Sequence, residues 1–231
     1  MLKITNLNSY YGKSHILQGL NLSVNEGEIV SLLGRNGVGR TTTIKSIMGM
    51  VKASGSIKFN DQEILGKQIH EISNLGLAYV SEHRDIFPDL TVLENLELGK
   101  KNVFSKNSWN INELFDLFPN LKDRKDVPGG VLSGGEQQML TISRSLLGNP
   151  RLIMIDEPTE GLSPQMVKNV EKLLMKISER NIAILLVEQK LSIAFNLSDR
   201  VYVMGHGKVV FNGTVEEVKD NKLIIKDWLE V

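Results

Sequence analysis

Three short segments carry residue types at spacings suited to phosphate chemistry. GRNGVGRT, Gly34 to Thr41, follows the apolar run EIVSLL and opens a stretch of helical periodicity. Glycines so spaced between a strand and a helix make a Walker A arrangement. The backbone of Gly34, Arg35, Asn36, Gly37, Val38, Gly39, Arg40, Thr41 and Thr42 would cradle phosphates at a helix N-terminus, with the Thr41 hydroxyl on Mg²⁺. RLIMIDEP ends an apolar strand in two carboxylates, the Walker B arrangement: Asp156 would hold the Mg²⁺ shell and Glu157 would polarise the attacking water. In LSGGEQQ, Leu132 to Gln138, Ser133, Gly134 and Gly135 open a helix and offer N–H groups and a hydroxyl to an anion. The plainer readings are a glycine-rich turn, a capped turn and, for Ser133 with Glu136, a capping box. The strand-before and helix-after context, with all three in one chain, favours phosphate binding, and the capping box is compatible with it.

One residue breaks the pattern. Where a Walker A loop carries Lys, this chain carries Arg40, which keeps the charge but replaces a compact ammonium with a planar fork. Either the fork crowds the phosphates and misplaces charge around the leaving group, or a shifted loop lets its donors reach them. Binding, which the backbone supplies, is therefore separable from hydrolysis, which depends on accurate placement around the transferred phosphoryl.

The elements that must position these segments are legible as pattern. LKITNLNSYY and the alternation of Leu20, Leu22 and Val24 read as strands, as do GSIKFN, RLIMI and IAILLV. Helical periodicity runs from Thr41 through Ile44, Ile47 and Met48, and again from Pro164 to about Arg180. GHGK turns a closing hairpin. Between about Leu96 and Gly148 strand signals vanish, and Leu114, Leu117 and Phe118 suggest short helices, a helical insertion. The alternation of strand and helix implies an α/β fold with a parallel sheet. No repeat, low-complexity tract or linker divides it, so we expect one unit over 1–231, with 1–82 and 151–231 as the core lobe and about 83–150 as the helical lobe.

Composition narrows the function. Lys and Arg number 27 and so do Asp and Glu, so the chain lacks the basic footprint that nucleic-acid binding needs. There is no Cys, hence no disulfide, thiol nucleophile or Cys-ligated metal. The opening MLKITNLNSYYGK has no signal-peptide apolar region, and the apolar runs are too short to span a bilayer, so the cytoplasm is the expected compartment and any membrane role works through partners.

GRNGVGRT, LSGGEQQ and LIMIDEP, in that order over essentially the whole chain, resemble the ABC ATPase family. The resemblance implies a RecA-like P-loop NTPase core with an antiparallel β subdomain and an inserted α-helical subdomain. It also implies a head-to-tail dimer, with itself or with a second ABC ATPase subunit, in which each ATP and Mg²⁺ sits between one Walker A loop and the other subunit's LSGGE. Ser133, Gly134, Gly135 and Glu136 would then contact the partner's ATP. Tyr11 of SYYGK would stack on adenine, the alternative being an edge-strand aromatic. Glu82 stands where most members carry a metal-shell Gln, and Gln189 where most carry a catalytic switch His. The four His, at 15, 70, 83 and 206, lie elsewhere. The stretch from Glu82 to Leu93, with Ile86, Phe87 and Leu90, would line the groove for membrane permease subunits, holding the chain on the inner face of the plasma membrane.

Those departures, with EGLSP at 160–164 and with SYYGKSHIL and GEQQML, resemble the LivF type of ATPase from branched-chain amino-acid importers, and the related urea-importer ATPases. Glu82 favours the amino-acid branch. The rival readings are a urea or amide importer subunit, a degenerate cassette that binds ATP while its partner hydrolyses, and a soluble ABC protein acting on ribosomes or DNA. The last lacks the second cassette, coiled coil or basic tail usual in such proteins.

Overall fold

The structure, a computed structural model, describes residues 1–101 and 108–230. Residues 102–107 of the expected helical insertion lie outside the described residues. Two sheets carry the fold. β1 (Leu2–Tyr11), β2 (Ser14–Val24), β4 (Lys52–Phe59) and β5 (Gln62–Glu63) form an antiparallel sheet in the order β2-β1-β4-β5. β3 (Ile29–Leu33), β6 (Leu77–Val80), β7 (Leu152–Asp156), β8 (Ala183–Val187), β9 (Arg200–Gly205) and β10 (Lys208–Gly213) form the second, in the order β10-β9-β3-β8-β7-β6. Its pairings are parallel except β10 with β9, the hairpin at His206–Gly207.

The central strands are buried on both faces, which is why they read as unbroken apolar runs. In β7, Ile153 and Ile155 face one core and Leu152 and Met154 the other. In β8, Ile184 and Leu186 face the first, and Ala183, Leu185 and Val187 the second. The second core is shared with Leu2, Ile4, Leu20 and Ile57 of the antiparallel sheet and with Ile44 and Ile47 of α1 (Arg40–Ile47), so that sheet and α1 cover this face. The first core takes in Leu96 of α3 (Val92–Glu97), Leu114 of α4 (Ile111–Leu117), Leu121 of α5 (Pro119–Asp123), and Met139, Ile142 and Leu146 of α6 (Gly134–Leu147). Leu173, Leu174 and Ile177 of α7 (Pro164–Glu179) join them. α2 (Ile69–Asn74), α8 (Leu191–Leu197) and α9 (Val215–Asp220) also pack against the sheets.

This layering fixes where chemistry can occur. α1 follows β3, and the loops after β7 and β8 leave at the same carboxyl edge, so residues distant in sequence meet there. No strand lies between residues 81 and 151 among the described residues.

Candidate nucleotide site

The loop from β3 into α1 is glycine-built for two reasons. Gly34 (φ 145°) has the Met204 carbonyl 2.6 Å from where a Cβ would stand, and Gly39 (φ 108°), which caps α1, has Leu17 Cδ2 at 2.7 Å. Any larger residue would strain the backbone and collide. α1 begins at Arg40, one residue before the periodicity suggests.

Arg40 is buried, 5% exposed, and both terminal nitrogens of its fork are engaged. Nη2 donates to Glu157 Oε1 at 2.8 Å and to Asn36 Oδ1 at 3.0 Å, and Nη1 donates to the Glu188 carbonyl at 3.0 Å. Gln189 completes the ring: its Nε2 reaches Glu157 Oε1 and Oε2 at 3.1 and 3.0 Å and Asn36 Oδ1 at 2.8 Å. The sequence raised two fates for the fork, crowding the phosphates or bonding them. In this structure it grips the carboxylate expected to activate water.

Glu157 is itself unusual. It lies in the left-handed region, φ 48°, immediately after β7, a strained setting typical of functional positions. Burial pushes its pKa above the ordinary value, reinforced by the Glu160 and Asp156 charges; Arg40 and Gln189 pull the other way without winning. A carboxylate so raised is the better proton acceptor. Asp156 is fully buried and neither of its oxygens completes a hydrogen bond. Burial raises its pKa and the nearby Glu82 adds to this, with the Thr41 hydroxyl and the Arg40 and Lys45 charges only partly offsetting it.

An orphaned buried carboxylate beside the Thr41 hydroxyl and the Glu82 carboxylate is an all-oxygen donor set of the kind a hard divalent cation takes. Carboxylate oxygens of Glu82, Glu157 and Glu160 also lie within 4.8 Å of one another, so Glu82 faces Glu157 as well as Asp156. Asn36, Gly37, Gly39, Arg40, Thr41, Thr42, Glu82, Glu157, Glu160 and Gln189 line one cleft, together with Ile16.

Other expected residues stand apart from it. Tyr11 ends β1 beside the hairpin and is 46% exposed, lining none of the cleft. Arg35 faces away from it: its Nη2 donates to the Glu230 and Lys226 carbonyls. Val38 packs on the second core. Ser133 to Glu136 also lie outside the cleft, at the head of α6, where they form the capping box: Ser133 Oγ accepts the Glu136 N–H at 3.4 Å and Glu136 Oε2 accepts the Ser133 N–H at 2.8 Å.

Sequence reading missed Glu188 and the hub role of Asn36. Glu188 is buried, accepts the Thr159 hydroxyl at 2.5 Å and the backbone N–H of Gln189 and Lys190, and so fixes the turn that aims Gln189. An acid directly ending the IAILLV strand was the available signal.

A P-loop site beneath a parallel sheet, with an acidic pair on β7 and a separate glycine-led helix, defines a nucleotide-binding cassette, and comparison with known proteins gives it a family. Residues 17–160 match the ABC transporter model, and the chain belongs to that family as an ABC ATPase. Among similar proteins are the "High-affinity branched-chain amino acid transport ATP-binding protein BraG" of Pseudomonas aeruginosa, 37% identical over 93% of both chains, and the "Probable branched-chain amino acid transport ATP-binding protein LivF" of Archaeoglobus fulgidus, 34% identical over 96% of this chain and 95% of that one. The "Lipopolysaccharide export system ATP-binding protein LptB" of Haemophilus influenzae is 31% identical over 99% and 97%. The ADP conformation of the cassette MJ1267 of an ABC transporter superposes with a TM-score of 0.84 at 27% identity, covering 98% of this chain and 97% of that one.

Asp156 yields a test. A carboxylate whose folded pKa is raised stabilises the fold least once pH has risen through that pKa, because the folded state then holds an unpaired buried charge. Asp156→Asn should therefore stabilise the protein without nucleotide at pH 7.5, by about 1–3 kcal/mol. The gain should shrink as pH falls toward the ordinary carboxylate range. Urea unfolding at both pH values measures it.

Proposed function

We propose that this chain is the ATP-hydrolysing subunit of an importer for branched-chain or other amino acids, working from the cytoplasmic face through separate permease subunits. The observation that carries the catalytic part is the convergence of the phosphate loop, Glu157 and Gln189 on one cleft, with Asp156 buried next to Glu157 at the end of β7. The amino-acid part rests on the branched-chain transport relatives and on Glu82 in place of the usual Gln. The lipopolysaccharide-export relative is the rival for the solute.

In this reading the backbone of residues 34–42 holds the ATP phosphates and Tyr11 stacks on adenine. Thr41, Asp156 and Glu82 would hold Mg²⁺, which would neutralise phosphate charge. Glu157, steadied by Gln189, takes the proton of the water that attacks the γ-phosphorus as the bond to the β-phosphate oxygen breaks. Arg40 must first let go: phosphate oxygens compete with Glu157 for the same guanidinium donors. The chain acts as a single unit, with 1–82 and 151–231 as the core lobe and about 83–150 carrying the signature. Ser133, Gly134, Gly135 and Glu136 serve the ATP of a second ATPase subunit, or of a second copy.

The permease groove has a partial counterpart to what was expected. Phe87, 48% exposed, lines a depression with the exposed Met50, Ile69 and Leu98 and with Lys101, an apolar clustering suited to a docked helix. Ile86 instead packs against the first core, and Leu90 lines no part of the depression. No helix among the described residues is long and apolar enough to cross a membrane.

Four measurements follow. Deleting the gene from its host should abolish high-affinity uptake of radiolabelled leucine and leave urea uptake intact; unchanged leucine uptake refutes the solute assignment. Tyr11→Ala should weaken ATP binding by about 1–3 kcal/mol, the worth of one base stacked on an aromatic ring. Arg40→Lys should raise single-turnover hydrolysis at this chain's own Walker A site while ATP affinity changes comparatively little, since transition-state placement tolerates error less than binding does. Ser133→Ala should chiefly impair the partner's site.

A further inference from the structure

The loop after β6 places one guanidinium between two segments that the catalytic reading uses separately. Arg84 holds a left-handed backbone, φ 54°, which a non-glycine residue adopts only when its surroundings impose it. Its Nη2 donates to the Glu160 carbonyl at 3.0 Å, three residues beyond Glu157. The same fork lies on the head of α6: a Cβ at Gly134 would stand 2.4 Å from Nη1 and 3.1 Å from Cζ, and one at Gly161 would stand 3.6 Å from Nη2. Glycine at 134 is thus what admits the guanidinium.

The loop that carries Arg84 is itself tied to α6. Arg144 Nη2 donates to the Asp85 carbonyl, and Asn95 accepts the Phe87 N–H at 2.9 Å. Arg84 therefore reaches the 160–161 loop from a base anchored at two points on the helical elements. Its side chain is the direct bridge from that base to the segment following the water-activating carboxylate.

We infer that Arg84 is a positioning residue that locks the Glu157–Gly161 segment to the signature helix, so that placing Ser133 on a partner's nucleotide also sets Glu157 in this chain's own site. The inference rests on the composite-site reading above, and it adds the residue that couples the two sites. A guanidinium suits the task because its planar fork can bond a carbonyl with one nitrogen while packing on backbone with the other; a Lys ammonium cannot do both.

The test is a double-mutant cycle on the dimer this chain forms, with itself or with its second ATPase subunit. Arg84→Met should lower kcat about tenfold, hold KM for ATP within about twofold, and bring the Hill coefficient for ATP toward one. Gly134→Ala, whose methyl displaces the fork and also alters the signature itself, should lower kcat at least as far, and adding Arg84→Met to it should lower kcat little further, because the fork has already lost its seat. Additive losses, or an Arg84→Met enzyme with wild-type kcat and cooperativity, overturn the inference. If Arg84→Met does not fold, Arg84→Lys replaces it in the cycle with the same expectation, and wild-type kcat and cooperativity in that variant overturn the inference too. Ser133→Ala separates the two levels. If it too leaves turnover unchanged, the composite-site reading has failed; if it impairs turnover while Arg84→Met does not, only the role of Arg84 has.

Discussion

A buried guanidinium and a buried carboxylate, Arg40 and Glu157, sit 2.8 Å apart at the edge of the central sheet, and the rest of the site is arranged around that pair. Two such charges taken from water cost more than their attraction returns unless every remaining donor and acceptor is satisfied. Asn36, the Glu188 carbonyl and Gln189 supply such partners, and these bonds link the residues into a ring. Asp156, next in the chain, has no such company. The site thus couples a hydrogen-bonded ion pair to an unsatisfied carboxylate, and the proposed ligands, phosphates and a divalent cation, address one each.

The double-sided burial of β3, β7 and β8 makes this geometry rigid. Because both faces of these strands are packed, their ends cannot slide, and the side chains just beyond them are held in register. The strained Glu157 backbone is sustained by that packing and by the Glu157 N–H bond to the Val187 carbonyl at 2.8 Å. α6 draws on the first core through Met139, Ile142 and Leu146, so its head is set by the same sheet that positions Glu157.

Much of this was legible in the sequence because it is local. The glycine spacing at 34–39, the apolar runs ending in DEP and the capping box at Ser133 each follow from neighbours within a few residues. The alternation of strand and helix sufficed for a parallel sheet. The partner of Arg40 was not legible, since it depends on β8 lying between β3 and β7, a strand order that sequence pattern does not specify. Glu188 was hidden for the same reason, and Arg84 reads as an ordinary loop charge until Gly134 and Glu160 are brought beside it. Ile86 shows the converse limit: three apolar residues in one loop suggest a shared surface, yet one packs inward, which only the folded helical elements decide.

The central claim is that Arg40 restrains Glu157 and that nucleotide phosphates release it. A crystal structure of the chain with Mg²⁺ and a non-hydrolysable ATP analogue tests it most directly. In that complex Arg40 Nη2 should have left Glu157 for a phosphate oxygen, with Gln189 still on the freed carboxylate. An Arg40–Glu157 pair still at hydrogen-bond distance with the triphosphate seated in the loop would contradict it.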